Sequence, residues 1–282
     1  MFLNKTSFVI FQYFIGILSI RVLLDIFNEK LKNLYFAFLL TLSYGFIYCG
    51  KVSFIELRGI FDGLALFFIL ITFYKSNKYL IFSCILLSSW TDERGLIASS
   101  FVFLHYLIIY FNDKKNSTRA ILISIIFSWI SYFAIRFLIT YIFDLKTNTG
   151  GINTKTLALN FELFPISLYG ALEGFWLFFL IKFFQSKYKF SFVNLLLLLC
   201  MFIVLLVSYF VYDVTRSLAY LFPSVFILLS SISKYKQEQI RNIVFCVFIL
   251  SFLFPAYYIG GGGLNWTKPL LFDLIFQFFT NS

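Results

Sequence analysis

Charge is what this sequence has least of. Only 13% of its 282 residues are charged, 61% are hydrophobic, and the mean hydropathy is +0.89. Soluble domains carry about 25% charged residues. No long polar stretch is present either, so no separate soluble domain fits, and any chemistry has to sit in loops or between helices. Cysteine is sparse and scattered. Cys49, Cys84, Cys200 and Cys246 stand alone in apolar runs, which excludes zinc-ligand and disulfide frameworks. The single histidine, His105, is followed five residues later by Tyr110, so the HxxxxD pattern of a histidine-dependent acyltransferase is absent; so is a GxSG-like motif. Gly260 to Gly263 reads as a flexible loop, because no GK[ST] follows it.

What is abundant is apolar sequence. Hydrophobic runs fall near 7–27, 34–49, 59–74, 79–90, 95–111, 119–143, 164–184, 191–211, 217–232 and 241–259. Several approach or exceed the ~17–20 residues that cross a bilayer as a helix. The alternating ~10-residue segments of a β-barrel are not seen. The expected fold is all-α, a polytopic transmembrane bundle of about ten helices, with residues 1–282 forming a single integral membrane domain. The first run contains Arg21 and no small-residue cleavage site, so it reads as a retained helix rather than a signal peptide. Leu270 to Phe279 is too short to span. The 42 Phe and 18 Tyr suit lipid-facing bulk and interfacial belts.

The net charge of +10 is not a nucleic-acid footprint, because the basic residues sit in short inter-helix loops. One set of loops is basic: 28–33, 75–78, 112–119, 182–189 and 233–241. The alternate set is 50–58, 91–94, 144–163, 212–216 and 260–268. The positive-inside rule assigns the basic set to the cytoplasm. The expected location is a multi-pass membrane, the bacterial inner membrane, with the other loops outside.

The outward loops hold a recurring pattern of acid and arginine. Asp92-Glu93-Arg94 interrupts two apolar runs. From Lys78 to Asp92 is 14 residues, about 21 Å of helix against a core of ~30 Å. The triplet is therefore expected below the outer surface, where charge is costly. Thr91 or Asp92 as a helix cap explains the acids but not Arg94, whose charge opposes the dipole of the helix it opens. Asp213-Val214-Thr215-Arg216 repeats the arrangement, with Asp213 as a candidate cap. Arg58 and Asp62 are spaced i,i+4 and suit a local pair. Arg136 is a further candidate contact, alternatively paired with Asp144 or Glu162, or snorkelling. Glu173 lies mid-helix beside Gly170 and Gly174, placed to pair with an arginine or line a cavity. Arg21 and Asp25 read as a structural pair, and His105 as a buried, hydrogen-bonded histidine. Arginine binds phosphate bidentately, and a nearby carboxylate suits a general base.

A polytopic helical chain with these motifs resembles bacterial membrane glycosyltransferases of the GT-C type and O-antigen polymerases. The residues that carry the likeness are Asp92-Glu93-Arg94 and Asp213-Val214-Thr215-Arg216, with Arg58 and Asp62 in support. The resemblance implies a polyprenyl-(pyro)phosphate-linked sugar donor and a glycan acceptor as partners, beside membrane lipids. In that reading Asp92 or Glu93 deprotonates the acceptor hydroxyl. Arg94, Arg216, Arg58 and Arg136 hold donor phosphate. Asp213 orients Arg216 or binds a divalent metal, and Asp62 and Glu173 support the site. Two other readings stand beside it: a transporter or flippase for an anionic lipid or solute, and a structural subunit of a membrane complex. The structural reading predicts arginines paired internally with no open cavity.

Overall fold

The computed structural model describes residues 5–55, 61–144, 154–185, 192–254, 257–260 and 263–266. These residues are all-α apart from one hairpin. The helices are α1 Lys5–Leu31, α2 Leu34–Phe46, α3 Tyr48–Ile55, α4 Asp62–Tyr74, α5 Lys78–Thr91, α6 Glu93–Asp113 and α7 Asn116–Phe143. There follow α8 Thr154–Glu162, α9 Phe164–Leu172, α10 Trp176–Gln185, α11 Phe192–Phe210, α12 Val214–Leu218, α13 Ser224–Ile232 and α14 Gln237–Leu253. Strands β1 Tyr257–Gly260 and β2 Gly263–Trp266 pair antiparallel, Ile259 opposite Leu264. Among the described residues, six stretches are long and apolar enough to cross a membrane: Ser7–Leu31, Glu93–Asp113, Asn116–Phe143, Phe164–Phe184, Phe192–Phe210 and Val214–Ile232.

Local chemistry sets many boundaries. The Asn33 side chain accepts from the Phe36 amide and caps α2, and Asn77 does the same for the Tyr79 and Leu80 amides of α5. Lys114 ends α6 in a left-handed conformation, φ 49°. Hydroxyls inside the helices turn back onto their own backbone, as Thr41 does to Ala37 and Ser208 to Val204. That keeps polar groups satisfied in an apolar interior.

The segment 214–232 forms the axis, with Val225, Phe226 and Leu229 fully shielded. Its aromatic rings gather the bundle. Phe226 meets Phe73 of α4 at 4.9 Å and Phe27 of α1 at 5.9 Å, and Phe222 meets Phe175 at 5.4 Å. By contrast α7 turns Phe127, Ile130, Phe133 and Phe137 outward, at 58–71% exposure. An apolar surface of that extent suits lipid rather than water.

Several expected boundaries differ. The run 34–49 breaks at Ile47, and much of the expected loop 50–58 is helix α3, whose Lys51 is fully buried. The run 164–184 is interrupted by a single 3-10 turn at Glu173–Phe175. The run 217–232 divides at residues 219–223, where Pro223 supplies no amide for helix continuation. The expected loop 144–163 contains α8, and Gly260 and Gly263, expected in a flexible loop, pair with each other in strands β1 and β2. Leu270 to Phe279 lies outside the described residues.

Candidate functional site: an arginine–aspartate network

Three sequence-remote turns meet at one end of the bundle, at the N-termini of α4, α6 and α12. Their hub is Asp62, with a side chain 1% exposed. Its Oδ1 accepts from Arg94 Nη2 at 2.9 Å and its Oδ2 from Arg216 Nε at 2.6 Å. Arg94 also grips Asp92 bidentately. Nε donates to Oδ1 at 2.9 Å, and Nη2 donates to Oδ2. Arg94 Nη1 reaches Ser217 Oγ at 2.9 Å. Arg216 Nη1 donates to Asp213 Oδ2 at 2.7 Å, and the other oxygen of Asp213 accepts from the Tyr258 hydroxyl of β1. Two guanidiniums thus bind three carboxylates together. A network of charge-assisted bonds is the arrangement that makes such charges tolerable away from water.

Close packing permits the meeting. An added Cβ on Gly95 would lie 2.2 Å from Ser88 Oγ, so glycine lets α6 start against the last turn of α5. Ser88 in turn donates to the Ala65 carbonyl of α4 at 2.9 Å. The hairpin closes over α12: the Ile259 amide donates to Thr215 Oγ1 at 2.7 Å, and Gly260 bridges to Asp213.

Asp92 is the cap expected of it, accepting from the Arg94 amide at 2.8 Å while its carboxylate also holds the Arg94 side chain. Burial alone raises the Asp92 carboxyl, but the bonds from Arg94 outweigh that and hold it at about 2, below the usual 3.8. A depressed carboxylate stabilises the fold above pH 3.8, and that contribution is lost as pH falls through about 2. Asp92→Asn should therefore melt below the wild type at neutral pH, with the gap in Tm narrowing as the medium is acidified from pH 4 to pH 2. A gap independent of pH would show that Asp92 stabilises by shape alone.

Asp213 stands at the N-cap position of α12, but its side chain makes no cap bond and points instead to Arg216 and Tyr258. Glu93 lies apart from the hub, its side chain 68% exposed, paired with Arg136 at 2.5 Å. Arg136 thus finds a partner on α6 rather than Asp144 or Glu162. Arg58 lies outside the described residues, and Asp62 answers Arg94 and Arg216. Glu173 makes no hydrogen bond to the network and sits at the break between α9 and α10. Arg21 pairs with Asp25 at 3.3 Å as expected. The His105 ring packs against Phe73 and Tyr106, at 5.1 and 5.3 Å.

Sequence reasoning missed three participants. Ser217 and Tyr220 follow Arg216 within one helical turn, and Arg94 lies 5.4 Å from the centre of the Tyr220 ring. The buried Tyr220 hydroxyl faces Asp92 and Asp62 without meeting hydrogen-bond geometry. Tyr258 fell within the expected helical run 241–259, and its hydropathy does not mark it as a partner of Asp213. The described residues hold no group of three or more acids, His or Cys arranged for a metal, because the aspartate oxygens turn toward guanidiniums. No family model matches this chain, and no curated protein or solved structure was found to be similar to it.

Proposed function

We propose that this protein is an integral membrane glycosyltransferase or polysaccharide polymerase. It uses a polyprenyl-(pyro)phosphate-linked sugar at the outer face of a bacterial inner membrane. The bundle crosses about ten times, counting the shorter apolar helices, with its basic loops cytoplasmic. The observation that carries the reading is the convergence of Arg94 and Arg216 beside three aspartates. Both sit at helix N-termini on one end of an otherwise apolar bundle.

In this reading the donor phosphate takes over guanidinium bonds now made to carboxylates, an exchange of one oxyanion for another. Displacing Asp213 from Arg216 leaves that carboxylate to accept the proton of an acceptor hydroxyl. The acceptor oxygen attacks the anomeric carbon, and the bond from that carbon to phosphate oxygen breaks. The lipid phosphate departs with the electron pair, stabilised by Arg94 and Arg216. Asp62 keeps both arginines aimed, and Asp92 positions Arg94.

Two observations favour other readings. The arginines are paired internally, as expected of a structural subunit. The interruptions at Glu173 and at residues 219–223 are of the kind found in transporters. One experiment separates the three. Purified protein in bilayers is supplied with a polyprenyl-linked sugar donor and a glycan acceptor, and product is followed. The wild type should form a glycosidic product; Arg216→Ala and Arg94→Ala should lose it while remaining inserted. Lipid or solute movement without product supports transport. Full product formation in either variant sinks the proposed roles.

A further inference from the structure

Away from the network, the core holds an acid that no contact compensates. Both carboxylate oxygens of Glu173 are buried with no hydrogen-bond partner, and the residue is 1% exposed. It occupies the break itself. Helix α9 ends at Leu172, Glu173 takes φ 44° and ψ −119°, and α10 resumes at Trp176. Such a conformation in a residue with a Cβ is strained and persists only where the surroundings impose it. The imposing contact is on the next residue: an added Cβ on Gly174 would stand 2.3 Å from the Val247 carbonyl of α14. The nine residues of α9 place the break about 13 Å into the bundle.

The titratable or charged groups on the elements packed around it are few. They are Tyr169 on α9, Lys182 on α10, Glu238, Arg241 and Cys246 on α14, and Tyr48, Cys49 and Lys51 on α3. Of these, Lys51 is the one that acts on Glu173 electrostatically, and Lys51 has a partner of its own. Ser251 of α14 presents a second buried oxygen with no partner beside Gly174. An ionised carboxylate without one donor is far costlier here than a neutral carboxyl.

We propose that the helix break at Glu173 is a proton-binding site of the bundle interior, occupied at neutral pH in this closed packing. Ionisation requires a rearrangement of the break that supplies donors, with Lys51 the cation to which the carboxylate would turn. The proton leaves to water admitted by the same movement. A strained junction holding a neutral acid is thus a two-state element whose balance depends on one proton. The site stands independently of the glycosyltransferase reading, since it is tested without substrate.

Infrared spectroscopy of the full-length protein in bilayers decides it. Glutamate labelled with 13C at the side-chain carboxyl should shift a protonated-carboxyl C=O band at neutral pH. The four other described glutamates, Glu29, Glu93, Glu162 and Glu238, are all exposed. Glu173→Gln should remove the shifted band. Should the variant fail to fold, Glu56→Gln in the labelled protein removes the glutamate outside the described residues, and the band that remains is assignable to Glu173. Absence of a labelled protonated band, or its survival in a folded Glu173→Gln protein, overturns the proposal.

Discussion

Asp62→Ala is expected to lower stability by about 3 kcal/mol, which for a chain of this size is roughly 6–12 °C in thermal midpoint. The carboxylate removed is almost wholly shielded and serves two cations at once, Arg94 at 2.9 Å and Arg216 at 2.6 Å. Taking out one partner of a buried pair is costly mainly because the other charges lose their compensation. Here the loss is moderated on both sides. Arg94 keeps Asp92, Arg216 keeps Asp213, and the two arginine side chains remain 18% and 11% exposed. The figure is therefore placed at the low end of the range for a buried pair. A double-mutant cycle sharpens it. Removing Arg216 as well relieves a cation that Asp62→Ala leaves under-compensated, so the paired loss should fall short of the sum by about 0.5–3 kcal/mol. The measurement is thermal unfolding in one detergent for all four proteins. An unchanged midpoint in Asp62→Ala, or strict additivity with Arg216→Ala, would show that the hub is electrostatically idle.

The standing of Asp62 also shows where the sequence could be read and where it could not. Charges that interrupt apolar runs are conspicuous because each is expensive in a membrane. For that reason Asp92, Arg94, Asp213 and Arg216 can be singled out with no structure in hand. Their mutual partners are another matter. The i,i+4 rule offers Asp62 a local partner in Arg58, whereas the described partners stand 32 and 154 residues away. Local spacing carries no information on pairing over that distance. Helix existence was legible from hydrophobicity, but interruptions were not. Pro223 marks one break chemically, while the break at Glu173 depends on how closely Gly174 meets α14, a tertiary fact. Lys51 shows the same limit in reverse. A lysine after Gly50 reads as a loop, yet α3 folds inward and shields it completely. The hairpin had a readable signal, a run of glycines flanked by strand-forming aromatic and aliphatic residues, and hydropathy alone obscured it.

Asp213→Asn is expected to lower glycosyl transfer by about 10²–10⁴-fold while leaving insertion and thermal midpoint close to those of the wild type. Of the three network aspartates, Asp213 has the most accessible side chain, at 25%, against 12% for Asp92 and 1% for Asp62. Its partners also include a neutral side chain, the Tyr258 hydroxyl, in addition to arginine. Asp92 is poorly suited to take a proton, because Arg94 holds it as a strongly stabilised carboxylate. Asparagine keeps the shape of Asp213 and one oxygen for Arg216 or Tyr258, so the fold loses little, but it cannot accept a proton from a hydroxyl. In the proposed reaction a base lost in this way shows in kcat more than in KM, because the arginines assigned to donor phosphate are left in place by the substitution. Tyr258→Phe provides the contrast. It removes the hydroxyl that occupies one Asp213 oxygen and should leave transfer within a few fold of the wild type, since the carboxylate itself remains. If Asp213→Asn retains full turnover, the base is not Asp213. If instead its thermal midpoint falls as far as that of Asp62→Ala, the carboxylate acts as a brace for Arg216, and the structural reading of the network is the better one.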